Sequence, residues 1–200
     1  MINTAKKGFT LVELLIVIAI LGVLATAVTI VLNPAELLAQ ARDGQRMSDL
    51  DTMRTAVATY VAQTTAALNM DAVTNGAGGA CTVGTAGPFT TALCVTNVVR
   101  TTAGAGWVDV NFDGLPGGSP VAVLPLDPSQ TANYFYAYKG NNTTVSPNYT
   151  FKLAARLESV KFRGKMTTDG GVQNTCTGSF VDQGGPGSSC YYEVGTGMAL

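Results

Sequence analysis

Asp109-Val110-Asn111-Phe112-Asp113-Gly114 places side-chain oxygens at every second residue, the D-x-N-x-D-G pattern that opens an EF-hand loop. Oxygens so spaced converge on Ca²⁺, and the glycine permits the sharp turn. The loop should close with a bidentate glutamate at the position of Pro120, so a complete site would need a remote acid such as Asp127. A strand with its polar face outward, ending in a turn, explains the same residues without a ligand and is the preferred reading. No cofactor is therefore expected, and Asp109, Asn111 and Asp113 are the ligands to test for calcium.

Other reactive groups are sparse. The chain has no histidine, which removes the commonest general base and every Ser-His or Cys-His nucleophile. It also shows no nucleophile elbow, phosphate-binding loop or dinucleotide fingerprint, so an enzyme is not expected. Cys81, Cys94, Cys176 and Cys190 have no C-x-x-C spacing and point instead to disulfides formed in an oxidising compartment. Of the three possible connectivities, proximity across Gly-containing segments predicts Cys81 with Cys94 and Cys176 with Cys190. Each such loop contributes roughly 3 kcal/mol in the chain-entropy model.

One carboxylate is out of place. Glu13 is the single charge in residues 9–32, an apolar run that spans roughly 36 Å as a helix, more than the ~30 Å hydrocarbon core requires. Lys6 and Lys7 precede the run and Glu36 is the first charge after it, which predicts a cytoplasmic N-terminus and an exported remainder. Ala25-Thr26-Ala27 also fits a signal-peptide cleavage site. Against that reading, the run is longer than an ordinary signal core, and an acid inside a membrane segment is costly unless it has a use.

The elements that carry these groups follow from periodicity. Asn33-Pro34 interrupts the helix and favours a kink. Leu50, Met53, Val57, Tyr60 and Val61 then mark one apolar face of an amphipathic helix. The charges from Arg42 to Arg54 are expected on a solvated or subunit-facing stripe, pairing along the helix. Residues 69–106 read as a loop-rich connection bearing Cys81 and Cys94. Runs at 107–112, 121–124, 134–138 and 149–157 predict three or four antiparallel strands that bury against the helix stripe. Charged residues make up 12% of the chain and the net charge is −1, so no basic field recruits nucleic acid.

Lys6-Lys7-Gly8-Phe9-Thr10-Leu11-Val12-Glu13-Leu14-Leu15 resembles the class III leader and first helical turn of type IV prepilins and type II secretion pseudopilins. The resemblance implies cleavage between Gly8 and Phe9 by a prepilin peptidase, N-methylation of Phe9, and self-association of the retained helix into a filament by a pilus or type II secretion assembly machine. It also implies that Glu13 meets the Phe9 amine of a neighbouring subunit. The expected fold is an α+β pilin fold, a long N-terminal helix packed on a small antiparallel sheet. Its parts are a leader (1–8), a transmembrane assembly helix (9–33), an amphipathic helix (34–66) and a globular β domain (67–200). The precursor would sit in the cytoplasmic membrane with its C-terminal domain outside, and the assembled product would be extracellular. More loosely, Gly106-Trp107-Val108, Leu124-Pro125-Leu126-Asp127-Pro128, Tyr134-Phe135-Tyr136 and Tyr149 to Leu153 are similar to the globular part of major pseudopilins. The segment from Cys176 to Cys190 resembles the disulfide-closed terminal loop of many type IV pilins. The alternative is a membrane-anchored binding or enzymatic domain that does not polymerise.

Overall fold

The computed structural model describes residues 8–63, 70, 79–83, 89, 94–141, 149–171, 174–175 and 189–197. The chain divides into two compact units, Met1–Leu38 and Ala39–Leu200.

In the first unit, helix α1 spans Leu11–Leu32, and its described side chains are exposed on every side. A helix that is apolar all round needs lipid or other helices to cover it. Leu11–Thr29 is long and apolar enough to cross a membrane. The hydroxyls within it are satisfied locally: Thr26 Oγ1 donates to the Gly22 carbonyl at 2.6 Å and Thr29 Oγ1 to the Thr26 carbonyl at 2.9 Å. Such bonds replace the water that a bilayer cannot supply.

Helix α1 ends at Asn33, whose φ of 38° is left-handed, a conformation asparagine tolerates better than most residues. Pro34 then opens helix α2, Pro34–Gln63, at a position where its missing N–H leaves no bond unmade. The interruption expected as a kink is thus a division into two helices. Residues 64–66, expected to continue the second helix, lie outside the described residues.

In the second unit, Leu50, Met53, Val57 and Tyr60 of α2 are buried with Trp107, Phe112, Tyr138, Phe151 and Leu153, and Val61 packs beside them. Burying one such leucine or methionine contributes about 1.5–3 kcal/mol. Trp107 stacks obliquely on Tyr136, with centroids 5.8 Å apart, and its indole N–H donates to the Pro125 carbonyl at 2.9 Å. The polar end of the largest core side chain is therefore satisfied.

Strands β1 (Ala80–Cys81), β2 (Val95–Thr96), β3 (Tyr136–Gly140), β4 (Phe151–Ala155) and β7 (Tyr192–Gly195) form one sheet in the order β2-β1-β3-β4-β7. All its pairs are antiparallel except β1 with β2. Strands β5 (Asn174–Thr175) and β6 (Ser189–Cys190) make a separate antiparallel pair, and a short helix α3 (Val160–Arg163) lies between β4 and β5. The face of the large sheet away from the α2 core is covered by Cys81, Phe89, Cys94, Phe135, Ala137, Ala154 and Tyr191. Strand β4 is consequently buried on both faces.

The α+β architecture is as expected, but the strand inventory differs. Trp107, Val108, Val110 and Phe112 are buried, yet their segment is not a strand. Its backbone bonds go to turns: the Trp107 N–H donates to Val99 O at 3.0 Å and the Phe112 N–H to Thr102 O at 2.8 Å. Residues 121–124 are likewise not a strand. Conversely, β1 is interior to the sheet although it falls in the stretch read as a loop.

Candidate functional site

The N-terminal segment is built around Thr10 and Glu13. Thr10 is the N-cap of α1: its Oγ1 accepts from the Glu13 N–H at 3.2 Å and donates to Glu13 Oε2 at 2.8 Å, while the Thr10 N–H donates to the same oxygen at 2.9 Å. This is a capping box, in which N-cap and third helical residue satisfy each other's orphan donors. The spacing Thr10-x-x-Glu13 carries the signal, but sequence reasoning took Glu13 as an isolated carboxylate and passed over Thr10. Phe9 is 85% exposed, and Gly8 precedes it outside the helix. The junction between them therefore lies outside the helix, one residue before its cap. Residues 1–7, including Lys6 and Lys7, lie outside the described residues.

Two charges of α2, Asp43 and Arg46, overturn their expected placement. Arg46 and Asp43 have no exposed side-chain surface. Arg46 Nε and Nη2 grip Asp127 in a fork, Nε to Oδ2 at 2.7 Å and Nη2 to Oδ1 at 3.0 Å. Its Nη1 donates to Asp43 Oδ1 and to Glu158 Oε1, each at 2.8 Å, and Nη2 also reaches Ser129 Oγ at 3.0 Å. The Tyr134 ring lies over the guanidinium, 4.8 Å from its centroid. Arg42 completes the cluster on Glu158, Nε to Oε1 at 2.6 Å and Nη2 to Oε2 at 3.0 Å. Asp43 turns its other lone pairs to the backbone, accepting the Ser159 N–H on Oδ2 at 2.7 Å.

Burial alone would pull the Arg46 guanidinium down, but Asp127, Glu158 and Asp43 outweigh it and the group is held more basic than usual. Burial pushes the Glu158 carboxyl up, and Arg42 and Arg46 more than reverse this, leaving it below its ordinary value. The cluster pins α2 to the loops after Asp127 and Glu158. Farther along the helix, the Tyr136 hydroxyl donates to Asp49 at 2.8 Å, and Asp51 and Arg54 pair along the exposed face as expected.

The residues proposed for calcium are engaged elsewhere. Asn111 Oδ1 accepts the Gly114 N–H at 3.3 Å, capping a 3-10 turn at Phe112–Gly114, and Asp113 Oδ1 accepts from Thr102 Oγ1 at 2.7 Å. Asp109 is buried, and Asp127, the remote acid that would complete a loop, is held by Arg46. Among the described residues no group of three acidic, cysteine or histidine side chains is arranged to hold a metal ion. Thermal unfolding curves in millimolar calcium and in chelator are expected to coincide; a melting temperature raised by calcium would put an ion on Asp109, Asn111 and Asp113.

Cys81 at the end of β1 is bonded to Cys94, with Cα atoms 5.5 Å apart. Cys190 is also disulfide-bonded, while Cys176, its expected partner, lies outside the described residues. Non-reducing peptide mapping is expected to recover a Cys176–Cys190 peptide.

Residues 3–29 match the family model described as the prokaryotic N-terminal methylation motif. The match takes in Gly8 and Phe9, the capping box and most of α1. Searches of curated proteins and of solved structures found no match.

Proposed function

We propose that this chain, which bears the prepilin-type signal of type IV pilins and pseudopilins, is a structural subunit of a type IV pilus-like or type II secretion pseudopilus filament. The observation that carries the proposal is the conjunction of that signal with an α1 whose apolar side chains are exposed on every side. In the precursor, lipid covers the helix. After cleavage between Gly8 and Phe9 and methylation of Phe9, equivalent helices of other subunits replace the lipid. A head-to-tail contact that does not close on itself then generates a helical polymer.

In this reading the unit Ala39–Leu200 is the exported surface of the filament, cross-linked where an oxidising compartment permits it. No catalytic step and no bound cofactor is assigned to it. The partners are a prepilin peptidase and N-methyltransferase, the assembly machinery and other copies of the chain. Immunogold electron microscopy of intact cells tests the proposal: label along filaments supports it, and label confined to the cell envelope with no filament would favour a membrane-anchored domain instead.

A further inference from the structure

The course of β4 along α2 decides where the most basic segment of the globular unit lies. At the start of β4, Phe151 lines a groove with Arg54, Thr55 and Thr59 of α2. Beyond the other end of the strand, Arg42 forks Glu158, and the N–H groups of Glu158 and Ser159 both donate to Asp43. The strand therefore runs back along α2 toward the beginning of the unit at Ala39. There the chain reverses through α3, capped by Ser159, and a 3-10 turn at Gly164–Thr167. Met166 closes the reversal, buried beside Leu157 and accepting the Leu157 N–H on its sulfur at 3.3 Å.

Lys161, Arg163 and Lys165 alternate along this reversal. Lys161 and Lys165 are exposed, and their ammonium groups stand 5.1 Å and 5.8 Å from the ring centroid of the half-buried Phe162. Phe162 packs on the Leu157 and Met166 cluster and so roots the segment in the unit. Val160, at the first position of α3, is 67% exposed. The flanking acids are engaged elsewhere. Glu158 is held by Arg42 and Arg46, and Asp169 accepts the Glu193 and Gly171 N–H groups at 2.8 Å and 3.0 Å. Exposed cations beside an exposed aliphatic side chain suit a lipid interface, with the charges among headgroup phosphates and the apolar group at the acyl boundary.

We propose that Lys161, Arg163 and Lys165 dock the globular unit on anionic phospholipid headgroups of the membrane that holds α1. The proposal rests on the reading of α1 as a membrane anchor. The basic segment is pinned to Arg42 and Asp43, a short stretch of chain after Thr29, where the apolar span ends. A tether of that kind gives the headgroups a high effective concentration at the segment, so weak individual contacts suffice. Each cation at an anionic surface is worth about fivefold in the docking equilibrium. The two ammonium groups meet phosphate as point charges and the Arg163 guanidinium can meet it with two parallel donors. Docking would hold the precursor's globular unit on the bilayer surface until α1 leaves the lipid.

The test places the full chain in nanodiscs of phosphatidylcholine alone, or of phosphatidylcholine mixed with phosphatidylglycerol, and reads trace lysine acetylation by mass spectrometry. Lys139, which pairs with Lys152 within the sheet, is the internal reference. Relative to Lys139, Lys165 is expected to react at least about fivefold more slowly in the anionic discs than in the neutral ones. High salt should restore its rate by screening the headgroups. Lys161→Gln combined with Arg163→Gln should also restore it, with circular dichroism unchanged. Equal Lys165 rates in the two discs would overturn the proposal. Protection that survives either high salt or the double substitution would overturn it too, since the anchor alone would then be holding the segment near lipid. A chain that fails to enter the discs would overturn the membrane-anchor reading itself, and this proposal with it.

Discussion

Arg46→Ala is expected to destabilise the globular unit by about 3–5 kcal/mol, the usual effect of removing one partner from a buried charge cluster. Against a total stability of roughly 5–15 kcal/mol this is enough to cut the folded yield sharply. The loss comes chiefly from what remains. Asp127 and Asp43 are buried and would face each other across a vacated cation, and Glu158 would keep only Arg42. Arg46→Lys should recover part of the loss, since an ammonium restores charge but cannot reproduce the two-pronged grip on Asp127.

Denaturant titration of both variants in detergent measures the effect, and pH gives its signature. Glu158 is held below its ordinary value of 4.5 in the folded chain, so the stabilisation it draws from Arg46 is present above that pH and is lost as pH falls through the depressed folded value. The gap between wild type and Arg46→Ala should therefore narrow in acid. A gap that is small at neutral pH would mean the cluster contributes little.

This cluster also shows where sequence reading stopped. Ala39, Asp43, Arg46, Leu50, Met53, Val57 and Tyr60 advance by alternate steps of four and three, so the two charges lie on the same stripe as the core residues, and all seven are buried. Periodicity marked the stripe correctly from Leu50 onward, but residue type led Asp43 and Arg46 to be assigned to a solvated or subunit-facing stripe. Their partners, Asp127 and Glu158, are distant in the chain, and no local rule reveals them. The same limit hid β7, where Glu193 interrupts an otherwise strand-like Tyr192-Glu193-Val194, and the pairing of Lys152 inside β4. For residues 107–112, alternation identified core side chains but could not show that the backbone finds its hydrogen bonds in turns. The N-terminal segment was the most legible part because its signals are local: an apolar length, a single acid and a short motif that the family model also matches.

Glu13 supports the second large prediction, loss of filaments with retention of the membrane-inserted subunit. The carboxylate does two things that one substitution would confound. It closes the capping box with Thr10, and in the proposed polymer it meets the Phe9 amine of an adjoining subunit. Glu13→Gln separates them, because glutamine can complete a capping box but carries no charge. Glu13→Ala loses both roles. Both variants should insert and be cleaved, since removing a charge makes the helix more compatible with lipid. Both should fail to give sheared filaments. If Glu13→Gln polymerises at wild-type yield, the helix cap and not the charge is what assembly requires.

The central claim is that the chain is trimmed at Gly8-Phe9 and enters a filament by the helix thus exposed. The most direct measurement is the N-terminal peptide of this chain recovered from filaments sheared off the cell surface. The predicted result is N-methylated Phe9 at the start of an otherwise intact α1. A filament-free preparation whose mature chain starts at Val28 would mean that the apolar segment is discarded on export, and would contradict the claim.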